Sequence, residues 1–334
     1  MKKGLFLFPA VFALSLSACA GVHHEISEYI LELQYKSNYR ILQLTDTHIG
    51  DKDNTKLHYD FIDLTINEAH PDLIVITGDV FTYASKNTVK EFFKYMDGHG
   101  VPWTLTFGNH DEQGYYSIDW LTGVLNKYGS NCYFKDIQDD DVQGNANFAI
   151  NLMNGTNVFE QLIIMDSNRY NYNGYFGYDY FHQDQIDWYK ELVKHTKDQN
   201  GGTVVPSLMF YHIPLPEVRD AWAAAQADPS LIKKPTSNVE GKVGEQNEDP
   251  CNPDYNSGFF EEIKKAGSTH GMYFGHDHIN NYIVTYEGID FGYGIKATDR
   301  VYANDQLLGG RVIELHDDHS VSYFDYYHQY EEVK

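Results

Sequence analysis

Six short apolar runs recur along this chain, and five of them end on a side chain that can bind a metal ion. The runs are rich in branched and aromatic residues with few polar interruptions, which is typical of strands buried on both faces. Such strands need further layers of structure on both sides. The runs are RILQLTDTH (40–48), PDLIVITGD (71–79), VPWTLTFGNHD (101–111), QLIIMDSN (161–168), SLMFYH (207–212) and GMYFGHDH (271–278).

Stretches with the apolar spacing of helices lie between these runs, at residues 56–69, 87–100, 119–129, 182–196 and 257–267. Because strands and helices alternate, the sequence predicts an α/β fold. The alternating segment 311–327 predicts a C-terminal hairpin that closes a sheet. The segment 228–256 is rich in Pro, Gly, Asn and Glu, and we interpret it as a long loop that could serve as a lid.

The N-terminus has the composition of a targeting segment. Lys2 and Lys3 precede an apolar run from Leu5 to Leu16, which is shorter than the roughly 20 residues that a membrane-spanning helix needs. The residues that follow, LSAC at 16–19, resemble the lipobox of bacterial lipoproteins, in which the cysteine is lipidated. An ordinary cleaved signal peptide is the open alternative.

The lipobox resemblance implies three segments and a location. Residues 1–18 are then a signal peptide, residues 19–37 a lipidated Cys19 with a tether, and residues 38–334 the folded domain. We expect a protein outside the cytoplasm, anchored to a bacterial membrane through its lipid. Oxidising surroundings permit one disulfide between Cys132 and Cys251, and two separate thiols are the open alternative.

The charge of the chain restricts its partners. The formal net charge is -23, from 25 basic and 48 acidic residues, and no basic stripe is present. A field of this sign repels nucleic acid, so we expect no nucleic-acid-binding surface. The sequence leaves the oligomeric state open.

The polar residues at the ends of the apolar runs predict a shared site. Functional side chains in α/β folds gather beyond the carboxyl ends of the strands, where the loops meet at one edge. Imidazole and carboxylate ligands without thiolates suit Fe, Mn or Zn better than a structural zinc cage. Extended residues alternate between faces, so we expect ligands two positions apart to point the same way. The candidate ligands are Asp46, His48, Asp79, Asn109, His212, His276 and His278.

Taken together, these fragments resemble the motifs of the calcineurin-like metallophosphoesterases. The motifs stand here as DTH (46–48), GD (78–79), GNHD (108–111), YH (211–212) and GHDH (275–278). The resemblance covers most of residues 39–315, and YHIPLPE (211–217) with NSGFF (256–260) is similar to a plant and fungal branch related to purple acid phosphatases. It implies a four-layer α-β-β-α sandwich with two mixed sheets.

The same resemblance assigns a role to each motif residue. Asp46, His48 and His278 would hold one metal, Asn109, His212 and His276 the other, and Asp79 would bridge both. His110 would protonate the leaving oxygen, which suits a side chain that exchanges protons near neutral pH, with Asp111 orienting it. Two such metals clamp a phosphoryl group and activate water for an in-line displacement.

The resemblance predicts a phosphoesterase, which we interpret as acting on small phosphate monoesters. A phosphodiesterase acting on nucleotides or lipid headgroups through the same centre is the nearest alternative, and a non-catalytic surface-binding lipoprotein is a further one. The Tyr-dense stretch 167–182 is either a wall that selects an apolar or aromatic leaving group or an ordinary surface loop.

The sequence departs from the purple acid phosphatases at one position. Those proteins carry a metal-binding Tyr three residues after the Gly-Asp aspartate, where this chain has Thr82, with Tyr83 one place later. The pattern therefore predicts that no tyrosinate-to-iron colour will be observed.

Overall fold

The computed structural model describes residues 24–51, 55–137, 141–171, 177–239, 244–329 and 332. The predicted signal peptide and Cys19 lie outside these residues. The strands are β1 (Ile30–Gln34), β2 (Tyr39–Leu44), β3 (Leu73–Thr77), β4 (Trp103–Thr106), β5 (Phe148–Asn154), β6 (Asn157–Ile164), β7 (Ser207–Phe210), β8 (Thr236–Ser237), β9 (Thr269–Phe274), β10 (Ile283–Tyr286), β11 (Ile289–Tyr293), β12 (Gly309–Leu315) and β13 (Val321–Tyr327). The helices are α1 (Thr55–Ala69), α2 (Lys86–Gly98), α3 (Ile118–Leu125), α4 (Gln183–Gln199), α5 (Val218–Ala227) and α6 (Phe259–Ala266).

The strands form two mixed sheets. One has seven strands in the order β1-β5-β6-β7-β9-β11-β10, and the other has six in the order β4-β3-β2-β12-β13-β8. Within the first sheet β6, β7 and β9 are parallel, and within the second β2, β3 and β4 are parallel. All six apolar runs of the sequence therefore form strands, as predicted, and each of these strands has a parallel neighbour. Strands β1, β5, β8, β10 and β11 and helix α5 were not predicted.

The two sheets pack face to face, and helices cover their outer faces. The apolar cluster that joins the two sheets contains Ile41 and Val75 from the six-stranded sheet and Leu162 and Phe210 from the seven-stranded one. Apolar residues of α1 and α2 join this cluster, while those of α4, α5 and α6 form a second cluster on the other side of the seven-stranded sheet. The predicted four-layer α-β-β-α sandwich is confirmed.

The N-terminal tether prediction is wrong for the part that the structure describes. Residues Ile26–Tyr29 form a short 3-10 helix, and β1 pairs in parallel with β5 at the edge of the seven-stranded sheet. Ile26, Tyr29 and Leu33 are buried. Because this segment buries apolar side chains and fills a ladder of hydrogen bonds, the folded domain begins before residue 38.

The C-terminal hairpin is present as predicted. Strands β12 and β13 are antiparallel, with Leu315 opposite Val321 at the turn. Strand β12 also pairs with β2, so the hairpin extends the sheet that carries the first ligand motif.

The long segment 228–256 is fastened along its described length. It contains β8, which pairs with β13, and its Glu245, Asn247 and Cys251 donate backbone hydrogen bonds to side chains at Asn281, Asn280 and Asp277. The predicted lid is therefore a strap hydrogen-bonded to the loop that follows β9. Opening of this strap stays a prediction.

Two further findings concern the membrane and the thiols. Among the described residues no helix combines the length and the apolar character needed to cross a bilayer. Cys132 and Cys251 are free thiols, one half-buried and one exposed, so the alternative of two separate thiols applies in this structure.

Candidate metal centre

The backbone turns sharply where the ligand motifs leave their strands. Asp46, His48, Asp79 and His276 all have positive φ, at 52°, 45°, 48° and 77°. Non-glycine residues seldom adopt this conformation, and clusters of such strained residues occur at functional sites. The extended conformation expected at 46–48 is therefore wrong. The side chains of Asp46 and His48 nevertheless reach the same site, as expected.

The glycines of the motifs are required by close packing at this point. A Cβ on Gly78 would lie 2.5 Å from the ring of His212, and one on Gly275 would lie 2.7 Å from the carboxylate of Asp46. A Cβ on Gly108 would lie 2.5 Å from the backbone nitrogen of Asp79. The Gly that precedes Asp79, Asn109 and His276 therefore lets another ligand approach the backbone at each of these three points.

Four predicted ligands form the first half of the site. The ligand atoms of Asp46, His48, Asp79 and His278 lie within 4.8 Å of one another, and all four residues are buried. Nε2 of His278 is 3.3 Å from Oδ1 of Asp46, and Nε2 of His48 is 3.8 Å from carboxylate oxygens of both Asp46 and Asp79. The two Nε2 atoms of His48 and His278 are 3.1 Å apart.

Asp79 is shared with the second half of the site. Its ligand atom lies within 4.8 Å of those of His212 and His276, and Oδ2 of Asp79 is 3.2 Å from Nε2 of His212. Asn109 is buried nearby and donates from Nδ2 to the hydroxyl of Tyr170 at 2.8 Å. The shared Asp79 is the arrangement that the predicted bridging role requires.

The ligand atoms have the chemistry of cation ligands. Oδ1 of Asp46, Oδ1 of Asn109, Nε2 of His212 and Nε2 of His276 are buried without a hydrogen-bond partner among the described residues. Buried polar atoms are normally paired, so this concentration of unpaired atoms calls for a ligand. Nδ1 of His212 donates to the carbonyl of Thr77, so the ring presents a lone pair at Nε2 once that atom has lost its proton. These residues fit two metal ions.

A model of the calcineurin-like phosphoesterase family matches residues 39–280. The chain belongs to the calcineurin-like phosphoesterases. It is a hydrolase of this family, and its site residues are consistent with a dinuclear centre. The metal identity stays a prediction of Fe, Mn or Zn.

Relatives and solved structures agree with this assignment. The chain is 26% identical over 320 residues to probable inactive purple acid phosphatase 14 of Arabidopsis thaliana, covering 84% of this chain and 75% of the relative. A dimetal phosphatase from Danio rerio has the same fold, with a TM-score of 0.52, 13% identity and coverage of 84% of this chain and 96% of that one. GAP50, the inner membrane complex anchor of Plasmodium, matches at a TM-score of 0.51 with 14% identity, covering 84% and 82%.

The charges of the phosphoesterase site favour cations. Burial disfavours the charged form of Asp79, but the facing His212 and His48 hold its pKa well below the usual range. Burial likewise opposes charge on His212, yet Asp79 and Asp46 raise its pKa to about 10. The carboxylates thus attract positive charge. A metal cation and protons compete for the same ligand atoms.

His110 lies beside the centre, but its partner differs from the prediction. Its ring is 5.1 Å from that of His48, and its Nδ1 bonds to Oε1 of Gln113 at 2.8 Å. Asp111 instead accepts from the backbone nitrogens of Phe81 and Gly108, at 2.8 and 2.7 Å. The orienting role predicted for Asp111 is wrong in this phosphoesterase, since its carboxylate braces the loops that carry Asp79 and Asn109.

Several residues around the ligands were missed in the sequence. Nζ of the buried Lys296 donates to the carbonyl of Asp46, and burial lowers the pKa of this lysine to about 8. Thr82 bonds to Nδ1 of His48 at 2.6 Å, and the ring of Tyr302 stacks on that of His278 at 4.1 Å. Only Thr82 had a sequence signal, its place after the Gly-Asp motif. Tyr83, the residue after Thr82, is exposed.

Proposed function

We propose that this phosphoesterase hydrolyses small phosphate monoesters outside the cytoplasm. The observation that carries the proposal is the set of unpaired buried ligand atoms on both sides of the shared Asp79. Two cations held there would bind phosphoryl oxygens and activate water. The Arabidopsis relative is named a probable inactive purple acid phosphatase, and the word phosphatase favours a monoester as the substrate class.

His110 is suited to protonate the leaving oxygen in this reaction. The amide oxygen of Gln113 can only accept, so Nδ1 of His110 donates to it, and Nε2 has no hydrogen-bond partner within the part of the chain that the structure describes. A positioned general acid contributes about 10²- to 10⁴-fold in rate, with the largest benefit for poor leaving groups.

A phosphodiesterase with the same centre is the second candidate. Both reactions need the same metal clamp, so the ligands alone do not separate them. The net charge of -23 works against long polyanions such as nucleic acids and leaves small substrates as the better match.

A non-catalytic binding role is the third candidate, and the names of two similar proteins bear on it. One is called a probable inactive phosphatase and another an anchor. Catalysis is supported here because Asp79, His110 and the other six predicted ligands are all present at one site.

The test measures metal content and turnover in the purified full-length protein. About two metals per chain, with hydrolysis of 4-nitrophenyl phosphate that is lost in Asp79→Asn, would support the monoesterase. Preference for bis(4-nitrophenyl) phosphate would select the diesterase. Bound metals without cleavage of either ester would favour the binding role, and failure to bind metal under replete conditions would contradict the site itself.

The location outside the cytoplasm rests on the N-terminal sequence. The short apolar run and LSAC at 16–19 support lipidation at Cys19 and a membrane anchor. In bacteria the wild-type protein should sediment with membranes and carry a lipid on Cys19, while Cys19→Ser should be released from them. An unlipidated wild-type protein would contradict the anchor without affecting the phosphoesterase proposal.

A further inference from the structure

A cavity adjoins the second half of the metal centre. It has a volume of about 530 Å³, which falls within the usual range for small-molecule sites. Its lining includes Gly177, Tyr178, Tyr180, His182, Asp254 and Tyr255. The ring of Tyr178 packs edge-on against the ring of His276, with centroids 4.3 Å apart. A single aromatic side chain therefore belongs both to the cavity wall and to the surroundings of a metal ligand.

The cavity offers flat aromatic surfaces. Tyr180 stacks on His182 at 4.6 Å and contacts Tyr255 at 4.4 Å. Tyr255 keeps 59% of its surface exposed. Exposed aromatic rings that line a cavity next to a reactive centre mark a place where a ligand ring can pack.

The exposed apolar side chains of the protein support this interpretation. Among the described residues the large apolar side chains that are clearly exposed lie on loops that lead to or from the ligands. They are Tyr83, Tyr115, Tyr255, Val301 and Tyr302. Tyr302 stacks on His278, and Tyr115 is bonded through its backbone to Ala84, the neighbour of Tyr83. Of these side chains, Tyr302 contacts a metal ligand and Tyr255 lines the cavity.

The charged groups of the cavity are acidic or paired. Asp179 bonds to His182 at 3.1 Å, which leaves Asp254 as a carboxylate without an ion pair among the described residues. A Cβ on Gly177 would lie 3.8 Å from Oδ2 of Asp254, so this carboxylate faces the opposite wall. Neither Lys nor Arg is among the described residues that line the cavity. A negatively charged group would be repelled here.

We propose that this cavity receives the leaving group of the phosphoester and selects a planar aromatic group that carries no negative charge. The inference rests on the proposed monoesterase function and adds the class of substrate. Phosphate esters of neutral phenols fit this description, because the phosphoryl group would lie at the metals while the ring packs against Tyr178 and Tyr255. An alkyl leaving group gains no stacking, and an anionic ring faces Asp254.

The first test uses two aryl phosphates of matched shape. We expect the metal-loaded full-length protein to hydrolyse 4-carbamoylphenyl phosphate with a kcat/KM about tenfold above that for 4-carboxyphenyl phosphate, a repulsion of the size that one nearby like charge produces. Asp254→Asn should raise kcat/KM for the carboxy ester alone and narrow the difference. Asp198→Asn is the matched control, since it changes the net charge equally at an exposed position near the end of α4, roughly 24 Å along that helix from His182.

The second test measures binding without turnover. Tyr255→Ala should weaken the affinity for phenylphosphonate about three- to tenfold while leaving that for methylphosphonate unchanged, because only the first compound has a ring to stack. Equal cleavage of the two aryl esters by the wild type, or unchanged phenylphosphonate affinity in Tyr255→Ala, would overturn the assignment of the cavity. A metal-loaded wild type that cleaves no monoester would instead overturn the proposed function, and the phosphonate comparison would still decide whether the cavity binds a ring.

Discussion

Nδ1 of His110 and Oε1 of Gln113 form a 2.8 Å hydrogen bond beside the metal centre. Gln113 therefore holds the ring that is placed to protonate the leaving group. We expect Gln113→Ala to lower kcat about tenfold for an alkyl phosphate, whose leaving group needs the proton, and far less for 4-nitrophenyl phosphate. Gln113→Glu is the informative second variant, since it keeps the acceptor. Equal losses on both substrates would contradict the positioning role.

The carboxylate of Asp111 supports a different prediction. It accepts hydrogen bonds from Phe81 and Gly108, so Asp111→Asn replaces one acceptor with a donor that faces a backbone N–H. We expect a loss of about 1–3 kcal/mol in the free energy of unfolding, measured with urea. Gln113→Ala is the control and should unfold close to wild type. Unchanged stability in Asp111→Asn would indicate that the loops do not depend on this brace.

The distinction between Asp111 and Gln113 shows what the sequence could and could not predict about the site. Ligand identity was readable, because each ligand directly follows an apolar strand. The partner of His110 could not be predicted. In the turn after β4 the side chain of the adjacent Asp111 points away from His110, while that of Gln113, three residues later, lies on the same side. Lys296 was also unreadable, since it contacts Asp46 across 250 positions of sequence.

Thr82 is expected to raise the affinity of the site for its metals. Its hydroxyl bonds to Nδ1 of His48 at 2.6 Å and so fixes the orientation of that ring. Loss of such an outer partner typically costs about 10- to 100-fold in metal affinity, and we expect this for Thr82→Val, while Thr82→Ser should bind as wild type. Metal competition titrations provide the measurement.

Iron-loaded wild type should lack a visible tyrosinate band, and a purple colour would contradict the placement of Tyr83.

The fold was predictable to the extent that its segments carry local patterns. The six apolar runs became parallel strands because their burial on both faces leaves a continuous signal. Strand β1 was missed since ILELQ at 30–34 is short and half-exposed, and its place is decided by pairing with β5 more than a hundred residues away. Helix α5 was missed for lack of a distinctive apolar stripe in VRDAWAAAQA.

Cys251 should react slowly despite its exposure. Burial of the thiol, followed by the nearby Asp277 and Glu248, raises its pKa to about 12. The thiolate is the reactive form, so the alkylation rate with iodoacetamide should keep rising about tenfold per pH unit from pH 7 to pH 10. The Cys132→Ala variant isolates the signal, and peptide mass spectrometry separates it from Cys19. A rate that levels off near pH 9 would contradict the raised pKa.

Arg311 and Asp325 form a fully buried ion pair between the two strands of the C-terminal hairpin. Nε and Nη2 of Arg311 each donate to one carboxylate oxygen of Asp325 at 2.7 Å, and Nη2 also donates to the carbonyl of Asn281 at 2.8 Å. Removing one partner leaves an unpaired buried charge. We therefore expect Asp325→Asn to lower the free energy of unfolding by about 3–5 kcal/mol.

A partly exposed pair provides the comparison for this buried one. Arg40 and Glu314 are 2.6 Å apart on the same sheet, with 22% and 14% of their side chains exposed. Such pairs contribute about 0–1 kcal/mol, so Glu314→Gln should unfold near wild type in the same urea titration. Arg311 also bonds to Asn281, whose side chain accepts a hydrogen bond from the backbone N–H of Glu245 in the strap. Because Asp325→Asn disturbs Arg311, it should also speed proteolysis of the strap. Equal effects of the two substitutions on stability would show that burial does not set the strength of the Arg311 pair.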